Sequence, residues 1–98
     1  MKPLTYLSVA ELELVEAGEF YDSRGKGLGK AFLDAIHEAA ERVRKHPQWW
    51  SLVEQPIRSC RVRRFPYRLL YVEEPDRIVI VAVMHASRHP DYWKDRLS

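Results

Sequence analysis

Seven consecutive apolar residues, Ile78 to Met84 (Ile-Val-Ile-Val-Ala-Val-Met), constrain this chain more than any other segment. The run is short, dominated by β-branched side chains and preceded by the turn residues Glu74-Pro75-Asp76, so residues 77–85 read as a strand. Its alternate positions carry nothing polar, so neither face can be left to water. The strand is therefore expected at the centre of a sheet, covered on both sides. A chain of 98 residues has room for one domain, 1–98, burying about 65 % of its unfolded surface. A deep internal active-site cavity is not expected in so small a body.

The other elements follow from periodicity. Leu4 to Leu7 form a short first strand. Ser8 stands three residues before Glu11, the spacing of a capping box, so a first helix is expected from about Val9. Leu12, Val15 and the pair Phe20-Tyr21 recur at helical spacing and are expected to face the core, with glutamates on the wet side. Arg24-Gly25-Lys26-Gly27 ends that helix. Leu28, Phe32, Ile36, Ala39, Ala40 and Val43 mark a second amphipathic helix, closed by His46-Pro47. From Ile57 the period becomes two, with Cys60 and Val62 alternating with Arg61 and Arg63. Tyr67 to Glu73 makes the next strand, and Pro90 can begin a last helical turn. The order βααβββ implies an α+β fold, a helical hairpin packed on a small antiparallel sheet.

Net charge is only +2, yet it is segregated. Residues 3–23 hold five acids (Glu11, Glu13, Glu16, Glu19, Asp22) and no lysine or arginine, whereas residues 58–68 hold Arg58, Arg61, Arg63, Arg64 and Arg68 and no acid. A guanidinium grips phosphate or carboxylate with a two-pronged fork, so these arginines are candidates for docking an anionic macromolecule, against the plainer role of a charged edge that prevents aggregation. The composition, 46 % hydrophobic and 31 % charged, is that of a folded protein. A lone cysteine, Cys60, excludes an internal disulfide and a cysteine-based zinc cluster. There is no charged start followed by an apolar core, and no apolar run near the roughly 18 residues that span a bilayer. A cytoplasmic protein without membrane association is expected.

Three smaller signals are weighed against plainer roles. Arg24-Gly-Lys-Gly-Leu-Gly29 before a helix is similar to the pyrophosphate loop of coenzyme-A-dependent acetyltransferases. It lacks the long apolar strand which that loop follows, and it lacks the Gly-Lys-Ser/Thr ending of a nucleotide-triphosphate loop, so an interhelical turn is the simpler reading. His85, Arg88 and His89 follow the central strand, where a histidine can move a proton and an arginine can steady a developing phosphorane charge. No third ligand accompanies the histidines, so no metal site is expected. Trp49, Trp50 and Trp93 are expected to finish the core rather than to stack on bases, and Glu38, Glu41 and Arg42 to form a solvated helix face.

Glu-Phe-Tyr at 19–21, Gly-Leu-Gly-Lys-Ala-Phe-Leu at 27–33, His46-Pro47, Arg-Arg-Phe-Pro-Tyr-Arg at 63–68 and the tail from His85 through Trp93, taken together, resemble the RelE/ParE superfamily of bacterial type II toxins. The likeness spans nearly the whole chain and accounts for Gly27-Leu-Gly29 as the turn between the family's helices. It implies no cofactor and a partner antitoxin that wraps a partly disordered segment around helices and sheet.

The resemblance also implies two mechanisms on one scaffold. In the RelE-like branch, a ribosome-dependent endoribonuclease cuts messenger RNA, and Arg68, His85 and Arg88 are the implied catalytic positions. That branch's lysine-rich strand is replaced here by Arg61, Arg63 and Arg64, and its terminal tyrosine is not clearly matched, although Tyr92 is near. The ParE-like, plasmid-stabilisation branch, to which Phe65-Pro-Tyr-Arg68 and the ending His85-x-x-Arg-x-Pro-Asp-Tyr-Trp93 are closer, inhibits DNA gyrase and arrests growth. Its implied target or antitoxin contacts are Arg58, Arg61, Arg63, Arg64, Arg68, Arg88, His89, Tyr92 and Trp93. A third expectation is a degenerate, non-toxic protein-binding module.

Overall fold

The computed structural model describes residues 1–97. Their order is β1 (Leu4–Tyr6), α1 (Ser8–Arg24), α2 (Leu28–Lys45), β2 (Ser51–Glu54), β3 (Ile57–Arg61), β4 (Tyr67–Glu73) and β5 (Ile78–His85), ending in a 3-10 turn over Lys94–Leu97. The strands form one sheet in the order β1-β5-β4-β3-β2. The apolar run in β5 is flanked by β4 and β1, and residues 78–83 are all buried. One core, under the helices, joins Phe32, Ile36, Ala39 and Val43 of α2 to Cys60, Leu69, Tyr71, Ile80 and Val83. A second, on the opposite face, joins Ile57, Leu70, Val81 and Ala82 under Trp93.

Two corrections concern the sheet. It is mixed rather than antiparallel, because β1 runs parallel to β5 in the register Leu4↔Ile78 to Tyr6↔Ile80. Apolar alternation specifies which face a residue takes but not strand direction, and parallel neighbours are joined only by a long crossover, which here is most of the chain. There is also a fifth strand, β2, exposed at all four positions and paired only with β3 across a turn that holds Gln55-Pro56 in cis. Its two apolar residues, Leu52 and Val53, are adjacent and exposed, so no alternating apolar pattern marks it in the sequence.

Helix α1 differs from expectation in two ways. Leu7 occupies the cap position and Ser8 is already helical, with no side-chain cap bond. The Leu7 amide donates to Ile80 O and its carbonyl accepts from the Glu11 amide, so the sheet edge, not a capping box, launches the helix. The core-facing residues are Ala10, Ala17 and Gly18, with Leu14 and Tyr21 half-buried. Leu12 stays 55 % exposed, and Val15 and Phe20 are exposed as well. Small residues let α1 lie close to its neighbours and turn the bulky ones outward, except Leu14 and Tyr21, the latter packing against Phe32, Phe65 and Tyr67.

The interhelical turn has its own chemistry. Gly27 sits at φ 80°, a conformation that costs other residues strain. The Gly29 amide donates to Asp22 Oδ1 at 3.0 Å, and a Cβ at Gly29 would overlap that carboxylate. An internal acid thus occupies the amide that a bound phosphate would need.

Candidate functional site

The β5 edge continues past β1, and its exposed backbone groups are completed by side chains. At the register shift between Leu70↔Ala82 and Tyr71↔Ile80, Val81 is the extra residue. Arg96 donates to Val81 O at 3.1 Å, and the Val83 amide donates to Glu13 Oε1 at 3.0 Å. Glu13 and Arg96 are themselves joined by two bonds of 2.9 Å, with side chains only 14 % and 12 % exposed. The Tyr92 hydroxyl donates to Glu13 Oε2 at 2.7 Å. Burial alone pushes the Glu13 carboxyl up, but bonds from Arg96, Tyr92 and Val83 outweigh it and hold its pKa below the ordinary value. Burial, and then the bond to Glu13, push the Tyr92 phenol up. Trp93 sits on the other side, 2 % exposed, its indole donating to Pro90 O. The tail is therefore clamped to α1 by Tyr92 and Arg96 and to the helix-free face by Trp93.

Of the sequence-derived site residues, the arginines do not form one surface. Arg58, in step with Cys60, lies on the helix side and donates to Trp50 O at 2.8 Å, a structural bond. Arg61 and Arg68 are exposed register partners on the helix-free side, in step with Ile57 and Leu70, and Arg68 donates to the Ser59 hydroxyl at 3.2 Å. Arg63 and Arg64 project from the β3–β4 turn. Arg63 approaches Glu38 at 3.5 Å, and Arg64, with φ 74°, lies over the Phe65 ring.

His85 is on the helix side, its ring 5.0 Å from that of Tyr67. Its Nδ1 accepts from the Ser87 amide at 2.9 Å and lies 2.8 Å from the Ser87 hydroxyl, which places the neutral ring's proton on Nε2. Arg88 stacks over Tyr92 at 4.1 Å and, with Glu13, Glu16, Phe20, Tyr67 and His85, lines a hollow of about 230 Å³. His89 is exposed and accepts from the Asp91 amide. The structure thus gathers His85, Arg88 and Tyr92 beside the middle of α1 and leaves Arg68 across the sheet.

Sequence reasoning missed Glu13 and Arg96, whose roles come from contacts 83 residues apart in the chain. It also misread Arg42. That side chain bonds Glu38 at 2.6 Å, donates to Arg61 O at 2.8 Å and lies over Trp50, whose indole donates to Arg42 O. The i,i+4 spacing of Glu38 and Arg42 was the available signal. Among the tryptophans only Trp93 finishes the core, while Trp50 is half-buried and Trp49 is 72 % exposed.

Comparison with known proteins agrees with this fold. A solved chain described as "Chromosomal ParDE TA system from P. aeruginosa" superposes with a TM-score of 0.64 at 16 % identity, covering 89 % of this chain and 98 % of that one, a likeness of fold. No curated protein sequence matches. Among the described residues no helix is long and apolar enough to cross a membrane. The sequence profile described as "ParE toxin of type II toxin-antitoxin system, parDE" matches residues 5–90, and the chain belongs to that family as the toxin of a toxin–antitoxin pair.

Proposed function

We propose that the free toxin arrests growth by binding and inhibiting DNA gyrase, not by cutting RNA, and that a cognate antitoxin silences it. The observation that carries this reading is the separation of Arg68 from His85. Arg68 lies with Leu70 on the helix-free side and His85 lies against Tyr67 on the helix side, so the sheet stands between a phosphate-gripping arginine and the nearest base. General acid–base cleavage needs both within hydrogen-bond reach of one phosphate. The His85 lone pair is also engaged by Ser87. A sheet that holds Arg68 apart from the hollow shared by His85 and Arg88 suits inhibition by docking.

The antitoxin's seat is the cleft between α1 and α2. Leu14, Val15, Gly18 and Leu33 line an apolar groove of about 540 Å³ there, and Leu12 and Phe20 stand exposed on the same helix. Such a groove fits the apolar face of an amphipathic segment. The arginines, Arg88, His89 and Tyr92 remain candidates for contacts to gyrase or antitoxin.

Purified chain added to a gyrase supercoiling assay is expected to block supercoiling, and to leave messages intact in a translating extract. Cut messages lost in Arg68→Ala or His85→Ala, with gyrase unaffected, would establish the ribonuclease reading instead. Growth that continues when the chain is expressed alone would remove toxicity altogether.

A further inference from the structure

Beside the β3–β4 turn lies a hollow of about 720 Å³ lined by Arg42, Trp50, Arg61, Arg63, Arg64 and Phe65. That volume is within the roughly 300–1,000 Å³ of small-molecule pockets. We propose that it binds a nucleotide, its phosphate held by the guanidinium groups of Arg63 and Arg64 and its base set against the rings of Trp50 and Phe65.

Three observations carry the assignment. The first is charge. Glu38 touches both Arg42 and Arg63, at 2.6 and 3.5 Å, so the local demand for a carboxylate is already met. Arg64 has no acid beside it among the described residues and rests on the face of Phe65, 5.6 Å from its centroid. Cationic capacity is left over, and phosphate, with three oxygens for several forks, matches it better than another carboxylate does.

The second is the pairing of cations with aromatic rings. Trp50 is half-buried and oriented by its bond to Arg42 O, with the Arg42 guanidinium 5.4 Å and the Trp49 ring 5.9 Å from its ring. Stacking on aromatic rings beside a basic groove is how bases are held without sequence preference, whereas acidic side chains have no use for the rings.

The third is backbone strain. Arg64 adopts φ 74° in a turn closed by the Val62 amide to Tyr67 O and the Tyr67 amide to Phe65 O. That geometry suits glycine, and strained non-glycine residues cluster at ligand sites, where the side chain repays the strain. The hollow is separate from the amide at Gly29, which Asp22 fills, and from the hollow beside His85 and Arg88.

The test is fluorescence anisotropy of a labelled ten-residue oligothymidylate with the purified chain, at several salt concentrations, with ATP and a decaglutamate peptide as competitors. Arg63→Ala and Arg64→Gly are each expected to weaken binding roughly tenfold and to lower the salt slope by about one, the signature of a lost phosphate contact. Arg64→Gly should also leave the melting temperature unchanged or raised, since it relieves the turn. Trp50→Leu should weaken binding roughly 5- to 100-fold with the salt slope retained, as expected for a lost stacking platform. Displacement by ATP assigns the site to free nucleotides and its failure to nucleic-acid strands, and either outcome supports the proposal. Full binding by the folded Arg63→Ala and Arg64→Gly proteins, or equally tight binding of decaglutamate, overturns it. Gyrase plays no part in this measurement, so the site and the target are tested separately.

Discussion

Arg96 and Arg64 carry the same group in opposite circumstances. Arg96 is almost buried, makes two bonds to Glu13, reaches the Val81 carbonyl and lies over Tyr92 at 4.7 Å. Arg64 is exposed, rests on a ring and holds its backbone in a strained conformation. In the first region every polar group has a partner, as burial demands, since an unsatisfied buried charge is costly. In the second, cationic groups outnumber their acids. Partnered arginine maintains the fold, and arginine with spare capacity beside a hollow is available to another molecule.

The largest expected effect comes from breaking the satisfied region. Glu13→Ala or Arg96→Ala leaves one buried charge unpaired and strands a β5 backbone group, and each should cost about 3–5 kcal/mol in denaturant unfolding. The double variant should cost less than the sum, because both lose the same interaction. A loss below about 1 kcal/mol for either single variant, the size of an exposed pair, would show that the clamp holds nothing.

Acid should loosen the same region. The folded Glu13 pKa lies below its unfolded one, so the unfolded chain binds more protons as pH drops. Stability is thus full above the unfolded value near 4.5 and is lost as pH falls through the depressed folded value. Glu41, held down by its bond from Arg44, and Glu73, held down by its bond from Lys2, act in the same direction. In thermal melts from pH 7 to pH 3, Glu13→Gln should therefore flatten the acid limb without abolishing it. An unchanged limb would remove Glu13 from the account.

The arginine turn should respond in the reverse manner. Replacing Arg63 by Ala and Arg64 by Gly together should shift unfolding by no more than about 0.5 kcal/mol, as for other exposed substitutions, since no core contact is lost. A large destabilisation would make this turn a second structural clamp and erase the contrast. The smallest effect on stability, a few tenths of a kcal/mol, is expected for Leu12→Ser and Val15→Ser on the outer side of α1. Both should nonetheless weaken neutralisation by the antitoxin in a growth-rescue assay, and full rescue would move the antitoxin's seat elsewhere.

Residues with one local rule were legible before the structure. The stripe from Phe32 to Val43 and the apolar run in β5 each announce their burial through repetition, and both lie in the core as expected. Helix α1 misled because bulky residues are the louder signal, although Ala10, Leu14, Ala17, Gly18 and Tyr21 have the spacing of one helical face. The five arginines misled for another reason. Proximity in sequence suggested one platform, while strand alternation and a turn sent them in three directions.

By itself, then, the sequence determined the helical hairpin and the doubly covered central strand, because period and apolar content are local properties that translate directly into a buried face. Only the tertiary structure decided that β1 runs parallel to β5, that Glu13 meets Arg96, and that Arg42, Trp50 and the 63–65 turn enclose one hollow. Those outcomes depend on which distant groups meet when the chain closes, and buried hydrogen-bonding groups accept whichever partner that closure brings within about 3 Å.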